Sequence, residues 1–255
     1  MLKITKNFYI RSLALAGAIA LINPFSPTSV RAEAEFLQSI PLEWNHNSPD
    51  FSEDGRPKRT AGGASRGECQ NKDNLSLTAL IPDLPVALTA ANSPTFWFYL
   101  PYTLTSEHSI EFVLKDSQDK YIYRTKFTDR KILPGIVGLN LPAKVNIEPL
   151  QKYSWYFLVY CQPQNINKFV YVSGSLQRID RPLLNSSLKF PSLKERLHFY
   201  ANEGLWYDAV TYLAEQMKAN PQDIVVQKDW QALLKSVGLE ELASKPFIAC
   251  CSLKE

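Results

Sequence analysis

The five residues Gly63-Ala64-Ser65-Arg66-Gly67 fit G-x-S-x-G, the pattern that holds a nucleophilic serine at the tip of a tight turn. That chemistry needs a buried strand before the serine and a helix after it. Residues 55–62 are polar, basic and glycine-rich, and Glu68-Cys69-Gln70-Asn71 does not open an amphipathic helix. Nor does the chain alternate strands and helices in the order of hydrolases built around this turn. A serine hydrolase through Ser65 is therefore the least favoured of three function classes. The same loop carries Arg59 and Arg66, whose guanidinium groups beside glycine backbone offer donors and charge to an anion. It lacks the Lys-Ser/Thr of a phosphate-binding loop. Arg59 and Arg66 are thus a possible anion or partner contact, set against the plainer reading of an arginine-bearing surface segment.

Metal, cofactor and acid–base chemistry find less support. His46, His108 and His198 are scattered, and no C-x-x-C or H-x-x-x-H spacing occurs. Glu33, Glu35 and Glu240-Glu241 read as solvated charge. The expectation is no catalytic residues, no metal and no cofactor. The four cysteines, Cys69, Cys161, Cys250 and Cys251, allow three disulfide pairings. A bond between the neighbours Cys250 and Cys251 is geometrically strained. Cys69–Cys161 is favoured, closing a loop of about 90 residues for roughly 4–5 kcal/mol in the chain-entropy model. Pairing of either with Cys250 or Cys251, or four reduced thiols, are the alternatives.

Cysteine use matters because the chain looks exported. Lys3, Lys6 and Arg11 precede an apolar run, residues 13–22, ended by Asn23-Pro24; Val30 and Ala32 then sit at signal-peptidase recognition positions. Cleavage after Ala32 is expected. The run is about half the ~20 residues a membrane span requires, no cysteine follows it for lipid attachment, and nothing later is long and apolar enough to span. The full chain holds 28 basic and 25 acidic residues. Its first 32 residues carry four of the basic ones and no acid, which leaves 24 basic against 25 acidic. Composition therefore gives no support for nucleic-acid binding, which needs a basic face.

The remaining residues divide by period. Residues 33–68, rich in Pro, Gly and Arg, read as a flexible lead-in. Seven strands are expected over 75–81, 95–100, 110–115, 120–127, 136–141, 153–162 and 168–179, with turns at residues 116–119 and at Pro134-Gly135. They suggest an antiparallel immunoglobulin-like β-sandwich over 69–181. Tyr153 suits a tyrosine corner, its hydroxyl bonding backbone just upstream. Trp155, Phe157, Val159 and Cys161 alternate onto one face, while Tyr156, Leu158 and Tyr160 make the other face apolar too. Beyond Arg181-Pro182 the period becomes helical. Three stripes follow: Leu193, Leu197, Tyr200 and Ala201, ending at Gly204; Trp206 to Met217, closed by Asn220-Pro221; and Val226 to Val237, closed by Gly238. This helical subdomain, 189–249, is marginal alone and is expected to dock on the sandwich, with the second aromatic face as its seat. The second stripe looks like one partial tetratricopeptide unit, too little for a repeat array.

Several blocks together resemble the DUF928 family of cyanobacterial exported proteins of unknown function: residues 59–67, 77–82 and 94–101, Tyr153-Ser154-Trp155-Tyr156-Phe157, Gly204-Leu205-Trp206-Tyr207-Asp208-Ala209 and Asp229-Trp230. The blocks occur in order over residues 59–250. The resemblance implies an envelope protein of a photosynthetic bacterium and transfers no catalytic residue. The expected fold class is α+β: a sandwich followed by a small C-terminal helical subdomain. The expected function is a non-enzymatic exported module, periplasmic or extracellular, that binds an envelope protein partner. The alternative is a binder of cell-wall glycan or another extracellular ligand through exposed aromatics.

Overall fold

Alternation at period two dictates the strands, and the computed structural model describes residues 75–128, 131–162, 169–180 and 192–251. Eight strands form: β1 (Thr78–Ala79), β2 (Ala87–Thr89), β3 (Thr95–Leu100), β4 (Ser109–Lys115), β5 (Tyr121–Phe127), β6 (Gly135–Asn140), β7 (Lys152–Tyr160) and β8 (Phe169–Arg178). Three helices follow: α1 (Leu193–Asn202), α2 (Trp206–Ala219) and α3 (Ile224–Lys235), then a 3-10 turn at Glu240–Leu242. Mixed α and β structure is therefore as expected. The expected signal peptide with cleavage at Ala32, the lead-in, Ser65, Arg59, Arg66 and Cys69 lie outside the described residues.

The strands divide into a small sheet, β1-β3-β6, and a large one, β2-β8-β7-β4-β5. The purely antiparallel pairing expected from the sequence is corrected at one edge: β2 runs parallel to β8, Ala87 opposite Leu176. Three residues between Pro85 and a polar turn carry too little pattern to announce a strand; β2 is held by pairing with its neighbour. Phe96, Phe98 and Leu100 of β3 point at the large sheet. Phe96 lies 4.8 Å from Phe112, and Phe98 stacks 4.0 Å from Phe157. Ile110, Phe112 and Leu114 from β4, Trp155, Phe157 and Val159 from β7, and Val170, Val172 and Leu176 from β8 complete this aromatic layer. Tyr153 accepts a hydrogen bond at its hydroxyl from the Glu148 backbone N–H at 3.0 Å, as its place at the start of β7 suggests.

The helices dock elsewhere than the sequence suggests. All six residues of β3 are buried, so its second face, Trp97 and Tyr99, also needs cover. The helical and C-terminal segments supply it. Trp97 Nε1 donates to Thr211 Oγ1 at 3.1 Å, and its ring meets Phe247 at 5.8 Å. The first turn of α2 reaches into the gap between the sheets. Trp206 Nε1 donates to the Leu80 carbonyl at 2.7 Å, and Tyr207 accepts from Trp155 Nε1 at 2.7 Å. The face that carries Trp97 and Tyr99, with Ile136 and Gly138 beside them, demands this burial more than the Tyr156 face, whose hydroxyls and neighbouring cations can be hydrated.

Local signals explain the helix ends. Ser192 Oγ accepts from Glu195 N–H at 3.2 Å, and Asp223 accepts from Val225 N–H at 2.8 Å, relieving orphan donors. Gly204 and Gly238 follow α1 and α3 with positive φ of 69° and 72°, the left-handed stop that glycine adopts freely. Past α3 the chain returns to β6. Ile136 N–H donates to Pro246 O at 2.7 Å, and Ile248 N–H to Ile136 O at 2.8 Å. Cys250 and Cys251 close on one another in a disulfide, so the alternative in which one of them holds Cys161 does not arise. Cys161 is buried on the core side of β7, as expected, and is disulfide-bonded; Cys69, its expected partner, is outside the described residues.

Candidate functional site

With the helices on the small sheet, the outer face of the large sheet carries an ordered set of polar and aromatic side chains among the described residues. Alternation in Ser109-Ile110-Glu111-Phe112-Val113-Leu114-Lys115 sends Glu111, Val113 and Lys115 outward as Ile110, Phe112 and Leu114 go inward. Register then lines up the neighbours. Glu111 sits opposite Leu158 of β7 and Lys126 of β5; Val113 opposite Tyr156 and Arg124; Lys115 opposite Tyr121, beside an irregularity between Leu114 and Lys115. On the far side Leu158 opposes Tyr171 and Tyr160 opposes Phe169. The result is a shallow depression of about 360 Å³ floored by Val113, Leu158 and tyrosine rings.

Glu111 organises the centre. Its Oε2 accepts from the Tyr160 hydroxyl at 2.7 Å, and its Oε1 accepts from Arg124 Nε. The carboxylate is almost without exposed surface, yet its cover is a single long side chain, Arg124, itself 63% exposed. Burial pushes the Glu111 pKa up, but the bonds from Arg124 and Tyr160 and the charges of Arg124 and Lys126 outweigh it and hold the group below its ordinary value. Tyr160 is pushed up to about 12 by burial, then by its bond to the Glu111 carboxylate and the charge there. Glu111 therefore stays ionised and both its oxygens are engaged. It orients Arg124 and Tyr160 and is poorly placed to shuttle protons.

Cations frame the rings. Lys115 Nζ stands 4.7 Å from the Tyr121 centroid and 5.9 Å from that of Tyr156. Lys126 Nζ stands 5.0 Å from the Tyr160 centroid and the Arg124 guanidinium 5.9 Å from that of Tyr121. Such placement draws the charge to the ring face. Tyr121 is 57% exposed, unusual for a large aromatic.

A larger groove of about 880 Å³ runs between the end of α2, α3 and the C-terminal segment. Lys218, Lys245, Glu240, Glu241, Gln227 and Gln231 are among its lining residues. Size favours it, but it holds no buried charged group and no ring fixed by a polar contact. Among the described residues no three His, Cys, Asp or Glu side chains gather to hold a metal ion. His108 accepts a bond at Nδ1 from the Thr105 backbone N–H at 3.1 Å in an exposed turn. His198 has its pKa lowered by burial and by Lys194.

Arg59, Arg66, Ser65 and Cys69 lie outside the described residues, and Cys161 belongs to the core. Glu111, Lys115, Arg124 and Tyr121 were missed. The signal that could have found them is the strand alternation opposite Phe112 and Trp155, carried across to the neighbouring strands. Trp206, Tyr207 and Trp230 are wholly or nearly wholly buried, as their helical spacing implies.

The molecule is thus a two-sheet α+β protein with helices on one side and a tyrosine-rich, cation-framed sheet face. The family model "Domain of Unknown Function (DUF928)" matches residues 61–247, and the chain belongs to that family. Among curated proteins none matches it.

Proposed function

We propose that the protein is an exported, non-catalytic binding module, an immunoglobulin-like sandwich whose ligand surface is the outer face of the large sheet, and that the ligand is a glycan. The Tyr153 hydroxyl bond to Glu148 supports the immunoglobulin-like reading. The observation that carries the glycan reading is the set of partly exposed tyrosines, Tyr121, Tyr156 and Tyr160, on one shallow face with fixed polar groups among them. Tyrosine rings pack against the C–H faces of sugar rings, and the adjoining Arg124 and Tyr160 groups meet sugar oxygens; both suit an extended chain lying on a flat sheet. The sequence alone ranks a protein partner first; the built polar centre at Glu111 moves the glycan ahead. A protein partner is the second reading, favoured by the larger groove beside α2 and α3.

Calorimetric titration against a panel of neutral and acidic oligosaccharides tests the proposal. Binding should weaken about tenfold on Tyr156→Ala and on Tyr121→Ala, roughly the 1.4 kcal/mol of one stacked ring, with circular dichroism unchanged. No binding across the panel, or binding indifferent to both substitutions, refutes it.

A further inference from the structure

We infer that the glycan bound on this face is acidic, its repeating sugars carrying carboxylates that meet Lys115 and Lys126. The inference rests on the glycan reading above. Its basis is a charge imbalance on the face. The face carries three cations, Lys115, Arg124 and Lys126, and one carboxylate, Glu111. Arg124 is committed to Glu111. Lys115 and Lys126 make no ion pair among the described residues; their ammonium groups rest over Tyr121 and Tyr160. They stand two rows apart, since Lys126 pairs with Glu111 and Lys115 is four residues further along β4. At about 3.4 Å per residue that separates the rows by about 14 Å, the reach of a few sugar units. The tyrosines lie between and beside them, so one chain can stack on a ring and present a carboxylate to each lysine. A neutral glycan would use the rings and leave both lysines without a partner. Without its first 32 residues the chain carries 24 basic against 25 acidic residues, so this face is basic although the chain is not.

The test compares galacturonate, glucuronate and alginate tetramers with the same tetramers methyl-esterified at the carboxylates, using the whole chain without its first 32 residues. At low salt the free acids of at least one series should bind at least tenfold tighter than their esters. That preference should shrink toward unity as ionic strength rises past the screening range, and Lys115→Gln with Lys126→Gln should bring acid and ester to equal affinity. Equal binding of acid and ester overturns the acidic inference and leaves the glycan reading standing. Binding of neither, with no neutral sugar bound, overturns both. A tetraglutamate peptide that binds as tightly as the best uronate shows a general anion site and also overturns the inference.

Discussion

The hydrogen bond between Trp155 and Tyr207 ties the helical segment to the core, and Tyr207→Phe removes it with almost no change of shape. The Tyr207 hydroxyl accepts from Trp155 Nε1 at 2.7 Å and donates to the Ser175 carbonyl at 3.3 Å. Both rings are buried, 1% and 2% exposed, so water cannot replace the lost acceptor. The Trp155 N–H is left unsatisfied, a cost of about 1–3 kcal/mol. The Ser175 bond is long and adds little. The expected loss is about 2 kcal/mol, or about 4–8 °C in Tm for a domain of this size. Urea denaturation followed by tryptophan fluorescence and by far-ultraviolet circular dichroism measures it. Both probes should move together, because α2 and the large sheet share one core. In a double-mutant cycle with Trp155→Phe the pair should show a coupling of about 1–2 kcal/mol. A loss below about 0.5 kcal/mol, or a coupling near zero, would refute the claim that this bond holds the two parts together.

Four further outcomes are expected. Gly135→Ala puts a Cβ 2.5 Å from the Pro246 carbonyl oxygen and 2.4 Å from Ile248 Cγ1, so the C-terminal segment must lift off β6; limited proteolysis should cut it faster and stability should fall by about 1–3 kcal/mol. Asp208 has its carboxyl against the Thr89–Ala91 backbone, accepting from Ala90 N–H at 3.0 Å, and burial pushes its pKa up to about 6 despite that bond. The folded state therefore keeps this proton where the unfolded chain has lost it, and the group's contribution to stability is greatest below about pH 4 and declines as pH rises to about 6. The side chain is still partly reached by water, so the decline should be about 1–2 kcal/mol, less than the full ~3 kcal/mol of an unscreened shift; the stability difference between the protein and Asp208→Asn, followed from pH 4 to 7, should show it and be flat above 7. Peptide mapping without reduction should recover Cys69 joined to Cys161, and N-terminal sequencing of the exported protein should begin after Ala32; free Cys69 or a chain beginning at Met1 would contradict these.

Much of the fold is legible because its strands alternate cleanly. Trp155, Phe157 and Val159 on β7 declare a core side, and Gly204, Pro221 and Gly238 punctuate the helices. The turn after β4 is equally plain, since Asp116 accepts from the Gln118 and Lys120 N–H groups as a turn aspartate does. What sequence could not assign was the helices' seat. Trp97 and Tyr156 are both aromatics on strands apolar on two faces, and composition treats them alike. The difference lies in cross-strand neighbours: Trp97 sits opposite Gly138, which opens a flat apolar bed, whereas Tyr156 lies opposite Val113 and Ser173 in reach of Lys115. Register decides those neighbours, and no local pattern reveals it. The candidate site was half visible for the same reason. Tyr156, Leu158 and Tyr160 stand out on one strand, but Glu111, Arg124 and Tyr121 join them only through pairing of β7 with β4 and β4 with β5.

The most direct test of the sheet face as the ligand surface is to map amide chemical shifts on titrating the tightest-binding oligosaccharide into isotopically labelled protein. The account places the largest shifts on β4, β5 and β7, at Glu111, Val113, Lys115, Tyr121, Arg124, Tyr156 and Tyr160, with α2 and α3 unmoved. Shifts gathered instead along Lys218, Gln227, Gln231 and Lys245 would move the site to the helical groove and contradict it.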